Sequence, residues 1–508
     1  MFRRSKRLLA FLLCFGTAAM GSCSTPQAKC ASIKVDPANA STTNGGVFEG
    51  WGTSLCWWAN RLGYSDVLAQ KSADLFYGSD GLRLNIMRYN IGGGDDPTHR
   101  HITRTDSAVP GWLRWDEAQQ KYVYDYDADH NQLNVMRRAV EASGKDAVVE
   151  VFSNSPPYFM TVSGCSSGGE DPNANNLRDD CYDDFAAYLV HVTDYIQKEL
   201  GIKVTSLSPM NEPNTNYWRF LSEKQEGCHF DAGDPQNRII LAVSEEMKKQ
   251  GVTDVIIAAS DETSPEKQLE EYQRFTPDVR AALGRINTHS YIENKIHEMG
   301  QLAKDEGFNL WMSEVDGDGT AGDKAGDMAP ALWFGKKIIS DMNALSPSAW
   351  VMWQVVDNHV SAEGYNGNRD SGMVDMSRGF WGVAVADHDN NEIILSQKYY
   401  GMGQFTRYIR PGSTIIHCGE NALAAYDPDA RQLTVVAVND AGTRKTLQVD
   451  LSAFARSGNK VRVIRTSGSM ENGEHWAELD SLQVTDGQFT ADMSKNSITT
   501  WIVEDVER

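Results

Sequence analysis

Two glutamates occur where paired carboxylate chemistry would need them. Glu212 lies in the segment SPMNEP and Glu314 lies in LWMSE, each after a short apolar run. Two carboxyl groups across a cleft can share the work of glycoside hydrolysis, because one protonates the leaving oxygen while the other attacks the anomeric carbon. Retention of configuration requires the two groups to lie about 5–5.5 Å apart. Taken alone, each glutamate is more simply interpreted as a charged residue that ends a strand, and the surrounding residues reverse that preference.

The elements that would position these glutamates form a repeating pattern. Short apolar runs alternate with helical patterns, which predicts parallel strands joined by crossover helices. The predicted strands are residues 50–57, 82–90, 147–153, 204–210, 254–260, 285–291, 309–314 and 349–355, and the clearest helices are 179–200, 237–250 and 331–343. Eight such units predict an α/β fold of the (β/α)8 (TIM) barrel type, whose sites form at the carboxyl ends of the strands. Glu212 would follow strand four and Glu314 would end strand seven.

The character of the sequence changes after residue 410. Short, often alternating runs at 414–417, 422–426, 433–439, 446–451, 461–466, 489–493 and 498–503 predict a β-sandwich. Residues 31–48 also look extended and are predicted to add a strand to it. We therefore assign residues 31–48 to the sandwich, 49–410 to the catalytic barrel and 411–508 to the C-terminal sandwich. The long segment 92–129 is predicted to build the rim of the site.

Asn-Glu-Pro after an apolar strand, followed about 100 residues later by a second strand-end glutamate, resembles the clan A retaining glycoside hydrolases. Within that clan the sequence is most similar to glycoside hydrolase family 30, over nearly the whole mature chain. The resemblance implies a barrel joined to a β-sandwich that is built from C-terminal strands and an N-terminal piece. It also implies that Glu212 is the acid/base and Glu314 the nucleophile.

The same resemblance implies a set of residues around the sugar. These are Arg88, Asp95, Asn154, Asn211, His289, Tyr291 and Trp353. A fixed positive charge at Arg88 would help keep the attacking carboxylate ionised. Asn211 can hydrogen-bond a sugar 2-hydroxyl, and Tyr291 can orient Glu314. Trp353 can form the floor under a pyranose ring, with core packing as an equal alternative.

The opening GWGTSLCWWA at 50–59 looks like the strand-one motif of the endo-β-1,6-galactanases in family 30, and it departs from the Gly-Phe-Gly opening of other branches. The stretches 88–95 and 153–157 look similar to the same branch. This resemblance implies an endo-acting retaining hydrolase that cleaves β-1,6-linked galactan in arabinogalactan side chains by double displacement. Trp112, Trp115, Tyr217 and Trp218 could stack on further sugar units, although core or lid packing is the simpler interpretation of any one of them.

Two other functions stay open at this stage. One keeps the catalytic pair and changes the sugar, giving a β-1,6-glucanase, a β-glucosidase or a fucosidase. The other is a non-catalytic carbohydrate-binding lipoprotein, since a fold does not guarantee an activity. All three interpretations have a polysaccharide or oligosaccharide as the partner, and none requires a cofactor or a metal ion.

Charge and the N-terminal sequence limit the other partners. The chain has 48 Lys+Arg against 69 Asp+Glu and a net charge of −21, which is too acidic for a general nucleic-acid binder. Basic residues followed by an apolar run predict a signal peptide over residues 1–22. The segment MGSC predicts acylation of Cys23 as a bacterial lipoprotein, with ordinary cleavage nearby as the alternative. We therefore expect export to the periplasm or the cell surface, with membrane contact only through the lipid.

The cysteines predict disulfides rather than a metal site. An exported protein can pair its thiols, and Cys165 and Cys181 enclose a loop rich in Gly, Ser and Asn, so they are the expected local disulfide. The pairing of the remaining cysteines stays open. The spacing of Cys and His residues does not suggest zinc.

Overall fold

The computed structural model describes residues 31–316, 324–370 and 380–508. The predicted signal peptide and Cys23 lie outside the described residues. In chain order the strands are β1 (Ala31–Lys34), β2 (Gly50–Ser54), β3 (Ile86–Asn90), β4 (Leu113–Asp116), β5 (Lys121–Tyr124), β6 (Val148–Phe152), β7 (Ser206–Ser208), β8 (Ile256–Glu262), β9 (Leu283–His289), β10 (Leu310–Glu314), β11 (Ala349–Met352), β12 (Val356–Val360), β13 (Ala384–Asp387), β14 (Glu392–Leu395), β15 (Thr414–His417), β16 (Ala422–Asp427), β17 (Gln432–Asn439), β18 (Lys445–Asp450), β19 (Lys460–Ser467), β20 (Glu474–Gln483), β21 (Gln488–Met493) and β22 (Ser497–Val503).

The helices mostly lie between the barrel strands. They are α1 (Trp58–Leu62), α2 (Asp66–Phe76), α3 (His130–Ser143), α4 (Tyr182–Lys198), α5 (Asp234–Gln250), α6 (Pro265–Arg274), α7 (Pro277–Ala282), α8 (Ile296–Glu306), α9 (Met328–Leu345) and α10 (Gln397–Thr406). Helix α4 shows why the sequence folds this way. Its apolar residues recur at helical spacing, so that Phe185, Leu189, Val192 and Ile196 are all buried on the side that faces the barrel core.

The barrel is closed and parallel, with β2, β3, β6, β7, β8, β9, β10 and β11 following one another around it. Each of these strands overlaps one of the eight predicted strands, so the predicted TIM-type barrel is confirmed. Strands β3 and β6, for example, pair without a shift in register, from Ile86 opposite Val148 to Asn90 opposite Phe152. Because all strands run in one direction, their carboxyl ends meet at one end of the barrel.

The C-terminal strands build two further sheets. One has six strands in the order β15-β16-β17-β22-β19-β20, and the other has three in the order β1-β18-β21. Strand β1 pairs in parallel with β18, from Ala31 opposite Leu447 to Lys34 opposite Asp450. Val35, Val435, Phe489 and Trp501 pack in the apolar core of these sheets. Strand β20 escaped prediction because it is an edge strand whose residues are exposed or only half-buried, without an apolar alternation.

Two smaller sheets lie outside the barrel wall and were not predicted. Strands β4 and β5 form an antiparallel hairpin within the long segment 92–129. Strands β12, β13 and β14 form a three-stranded sheet soon after the last barrel strand. The hairpin strands carry exposed or half-buried polar and aromatic residues, which gives the sequence little strand periodicity.

The predicted disulfide between Cys165 and Cys181 is wrong, since both cysteines are free thiols. The Cys165 sulfur lies 3.2 Å from Ser167 Oγ, whereas the Cys181 sulfur lies 3.6 Å from the Asp180 carboxylate. The loop between them is closed by the main chain instead, because the Val162 N–H donates to the Asn176 carbonyl at 2.7 Å. The described helices include none that is both long and apolar enough to cross a membrane.

Candidate active site

The two glutamates reach one end of the barrel from different strands. Glu314 is the last residue of β10, and Glu212 lies four residues beyond the end of β7. His289 ends β9, the neighbour of β10, and Arg88 lies within β3 on the other side of the barrel. The closed sheet therefore brings four chain segments that are distant in sequence to a common site.

The main chain holds Glu212 in an unusual conformation. Its φ angle is 47°, in the left-handed region that a residue with a Cβ adopts only when its surroundings compensate. The Glu212 N–H donates to the Asp261 carbonyl at 2.9 Å. The Glu212 carbonyl accepts from Trp218 Nε1 at 2.9 Å and from Thr215 Oγ1 at 3.0 Å. These three bonds fix the direction in which the side chain leaves the loop.

The carboxylate of Glu212 has two side-chain partners. The Tyr217 hydroxyl donates to Oε2, and His289 Nδ1 lies 3.2 Å from Oε1. The side chain is only 12% exposed. Tyr217 was singled out in the sequence as an aromatic residue, and the structure places its hydroxyl directly on this carboxylate.

The carboxylate of Glu314 is held on both oxygens. Arg88 Nη1 donates to Oε2 at 2.9 Å, and the Tyr291 hydroxyl donates to Oε1 at 3.0 Å. His289 Nδ1 lies 3.5 Å from the same Oε1. The predicted contacts from Arg88 and Tyr291 to Glu314 are thus present in the structure, and they restrict the rotation of this carboxylate.

The two carboxylates lie close together. One oxygen of Glu212, one oxygen of Glu314 and one ring nitrogen of His289 all lie within 4.8 Å of one another. This spacing matches a carboxylate pair that flanks one bond, and it is shorter than the roughly 6.5–9.5 Å that leaves room for a water molecule between the carboxyl groups.

Beneath the pair lies a buried ionic network. The Arg88 guanidinium donates to Glu150 Oε1 at 3.0 Å, and its Nη2 lies 3.2 Å from Asp261 Oδ1. The same Nη2 donates to Asn211 Oδ1 at 3.4 Å. Burial favours the neutral form of Asp261, but the charges of Arg88 and His289 outweigh it and lower the pKa of this carboxyl. These contacts with Glu150, Asp261 and Asn211 fix the planar guanidinium in its position against Glu314.

Sequence reasoning missed Glu150 and Asp261. Glu150 is the single charge in the strand sequence VVEVF, and Asp261 follows an apolar run on β8. A charge inside a fully buried strand is costly unless it is paired, and this was the signal available in the sequence. Their partners come from other strands and could be identified only in the folded barrel.

The negative charges around His289 raise the pKa of its imidazole. Burial alone would lower the pKa of His289, but Glu314, Asp261 and Glu212 raise it to about 10. The imidazole is therefore protonated at neutral pH. Burial raises the pKa of Glu314, and the positive charges of His289 and Arg88 oppose that rise.

The other predicted residues fall into two groups. Asn211, Asn154 and Trp353 are buried beside the barrel opening. Trp353 packs edge-on against Trp57 with ring centroids 4.9 Å apart, and Asn154 Nδ2 lies 3.6 Å from the sulfur of Cys56. The Oδ1 of Asn154 has no hydrogen-bond partner among the described residues. Asp95 makes its contacts elsewhere, on the rim.

The aromatic residues of the rim differ in exposure. Trp112 is fully buried against Tyr195, so it is part of the packed core and is not available to stack on a sugar. Trp115 and Tyr217 are 41% and 43% exposed. Two clusters could hold a metal ion within the described ranges, namely the group of Glu212, His289 and Glu314 and a group around Asp95.

A (β/α)8 barrel with a carboxylate pair at the carboxyl ends of its strands can support glycoside hydrolysis. The sequence profile of O-glycosyl hydrolase family 30 matches residues 31–274. The chain is a glycoside hydrolase and is similar to family 30 over these residues, as the sequence motifs implied.

Known proteins resemble the chain over most of its length. It is 29% identical to an endo-β-1,6-galactanase of Hypocrea rufa, over 94% of this chain and 95% of that protein. It is 26% identical to an exo-β-1,6-galactobiohydrolase of Bifidobacterium longum, over 80% of this chain and 34% of that protein. The catalytic domain of the family 30 xylanase C of Talaromyces cellulolyticus has the same fold, with a TM-score of 0.69 at 16% identity over 93% of this chain and 99% of that chain.

Proposed function

We propose that the protein is a retaining, endo-acting hydrolase of β-1,6-linked galactan, with Glu212 as acid/base and Glu314 as nucleophile. The observation that carries the proposal is the position of the two carboxylates within 4.8 Å of each other, with Arg88 bound to Glu314. That spacing fits direct attack by one carboxylate on the carbon whose leaving oxygen the other protonates.

The reaction would proceed in two displacements. Glu314 attacks the anomeric carbon while Glu212 donates a proton to the departing oxygen, which gives a galactosyl ester on Glu314 and a shortened chain. Glu212, now ionised, takes a proton from water as the water attacks the same carbon, and the ester bond to Glu314 breaks. Tyr291 and Arg88 orient the attacking carboxylate, and Tyr217 and His289 orient Glu212.

Similarity to the two β-1,6-galactan-cleaving relatives supports galactan as the substrate. An endo mode needs room for several sugars. The rim carries a cavity of about 440 Å³ whose lining includes the aromatic side chains of Trp115, Tyr122 and Tyr158. Aromatic faces of this kind can stack on further galactose units.

The test is a substrate panel. The purified protein is incubated with de-arabinosylated arabinogalactan, β-1,6-glucan, β-1,4-xylan and aryl β-glycosides, and the products are separated by size. A ladder of short β-1,6-galacto-oligosaccharides is expected from the first polymer alone, and the first anomer formed should be β by proton NMR. Release of a disaccharide only would indicate an exo mode. Cleavage of glucan or xylan alone would refute the proposed specificity.

We also propose that the protein is exported and acylated at Cys23, in keeping with the basic residues and apolar run that precede it. Cells that express the full chain should yield it in the detergent-soluble membrane fraction. The variant Cys23→Ala should shift it to the soluble fraction. Equal distribution of both forms would contradict acylation at this cysteine.

A further inference from the structure

A second cluster of chemically reactive side chains lies on the rim, apart from the glutamate pair. Asp95, His99, His101 and Cys165 each present one ligand atom, and these atoms lie within 4.8 Å of one another. The first three come from the segment after β3, and Cys165 comes from the loop after β6. The cluster has no short Cys/His spacing in the sequence, because the thiol belongs to a different loop.

The inward-facing atoms of the cluster lack hydrogen-bond partners. Asp95 Oδ2, His99 Nδ1 and His101 Nδ1 are buried, and none has a hydrogen-bond partner in the part of the chain that the structure describes, although both imidazole nitrogens lie within ion-pair distance of Asp95 Oδ2. The His101 side chain is only 8% exposed. Unpaired buried polar atoms are costly in a folded protein, and three that converge on one point indicate a missing shared partner.

The hydrogen bonds around His101 indicate which of its ring nitrogens faces Asp95 as an acceptor. Ser167 Oγ donates to the Arg219 carbonyl at 3.0 Å, so its oxygen is free to accept from His101 Nε2, which lies 3.1 Å away. With the proton on Nε2, Nδ1 presents a lone pair toward the Asp95 carboxylate. A lone pair and a carboxylate oxygen that face each other in this way can both coordinate one cation.

The distances agree with a metal ion. Asp95 Oδ2 lies 3.4 Å from His99 Nδ1 and 3.3 Å from His101 Nδ1. Two nitrogen or oxygen ligands of tetrahedral zinc lie about 3.3–3.5 Å apart, because each is about 2.0–2.1 Å from the ion. The contact from His101 Nε2 to a hydroxyl is also the arrangement that fixes the ligating tautomer in metal sites.

We propose that Asp95, His99 and His101, with the thiolate of Cys165, form a zinc-binding site that joins the two rim loops. Two imidazoles, a carboxylate and a thiolate are a zinc ligand set. Zinc binding would displace the thiol proton of Cys165 to solvent. The site assigns to Asp95 a structural role at the rim in place of the sugar contact that the family resemblance implies, and it does not depend on the proposed substrate.

The rim loops already meet through hydrogen bonds. The Ser166 N–H donates to Asp95 Oδ1 at 2.9 Å, and the Ser222 N–H donates to Ser167 Oγ at 3.0 Å. A bound ion would add a cross-link between the segment after β3 and the loop after β6, and the loop that follows Glu212 is bonded to the latter through Ser167. We therefore expect zinc to stabilise the rim.

The experiment measures zinc directly. The protein is stripped with a chelator, dialysed, titrated with zinc sulfate and analysed by elemental mass spectrometry, and its thermal unfolding is recorded with and without zinc. One zinc per chain and a higher Tm with zinc are expected. Cobalt in place of zinc should give the intense visible absorption of a tetrahedral site together with a sulfur-to-cobalt charge-transfer band.

Matched variants locate the ion. Cys165→Ser should abolish the sulfur-to-cobalt band, whereas Cys181→Ser, at another free thiol, should retain it. His101→Ala should lose stoichiometric zinc, whereas His297→Ala, at an exposed histidine, should not. Ser167→Ala, which removes only the hydroxyl that positions His101, should weaken zinc binding about 10–100-fold.

Two results would overturn the proposal. Wild-type protein that retains no zinc above the level of the His101→Ala variant would show that the cluster binds no ion. Zinc that is lost in Glu314→Gln but kept in His101→Ala would place the ion at the catalytic glutamates instead. The wild-type measurement stands even if one variant fails to fold.

Discussion

Arg88 and Glu314 are joined by a 2.9 Å ion pair inside the barrel, between strands that are distant in the closed sheet. The arginine side chain is fully buried and also touches Glu150 and Asp261. One guanidinium therefore forms ion pairs with three carboxylates, and only Glu314 among them is also close to Glu212. Because the arginine is fixed by the other two, it holds Glu314 in place without depending on a substrate.

Replacing the proposed nucleophile tests its role most directly. Glu314→Gln keeps the shape of the side chain but removes the charge that attacks the sugar. We expect turnover to fall by about four orders of magnitude or more, in the range of losses when a nucleophile is removed. Sugar binding, measured by calorimetry, and the circular dichroism spectrum should stay close to those of the wild type. Wild-type rates in this variant would refute the assignment.

Glu212, the proposed acid/base, should show a different dependence on the leaving group. In Glu212→Gln no proton can be donated, so cleavage of the natural linkage should slow by about 10²–10⁴-fold. Phenols of low pKa leave an aryl glycoside without being protonated, so the first displacement of such substrates should be affected much less. The measurement is the rate for a series of phenols plotted against leaving-group pKa. An equal loss across the series would contradict the role.

The two tyrosines provide a matched pair of variants. Tyr291→Phe removes the 3.0 Å hydrogen bond to Glu314, and Tyr217→Phe removes the hydroxyl that donates to Glu212. A hydrogen bond to a charged group is worth about 1.5–3 kcal/mol, so we expect kcat to fall about 10–100-fold in either variant. Only Tyr217→Phe should change the leaving-group dependence, because only that residue contacts the acid/base. Identical behaviour of the two variants would argue against separate roles.

The eight barrel strands could be predicted because each is a short apolar run between turn signals, and the fold buries all of them. Glu212 and Glu314 could be found because both follow such runs. Glu150 and Asp261 could not be placed, because a buried charge is explained only by partners from other strands. The sequence predicted a disulfide between Cys165 and Cys181 because of the composition of the loop between them. In the structure the Cys165 sulfur lies 3.7 Å from His101 Nε2 instead.

The stability of the protein should depend on pH through His289. Its pKa is about 10 in the folded protein and about 6.5 when unfolded. A group whose pKa rises on folding contributes stability that is complete below the unfolded value and is lost as pH rises through the folded value. The contribution should therefore be full below about pH 6.5 and vanish by about pH 10.

The variant His289→Gln carries an uncharged side chain that can still hydrogen-bond, so this contribution is absent from it. We expect the difference in unfolding free energy between wild type and variant, measured by urea denaturation, to be constant below pH 6.5 and to shrink steadily above it. A difference that stays constant up to pH 10 would mean that His289 is neutral between the glutamates, and the electrostatic account of the pair would be wrong.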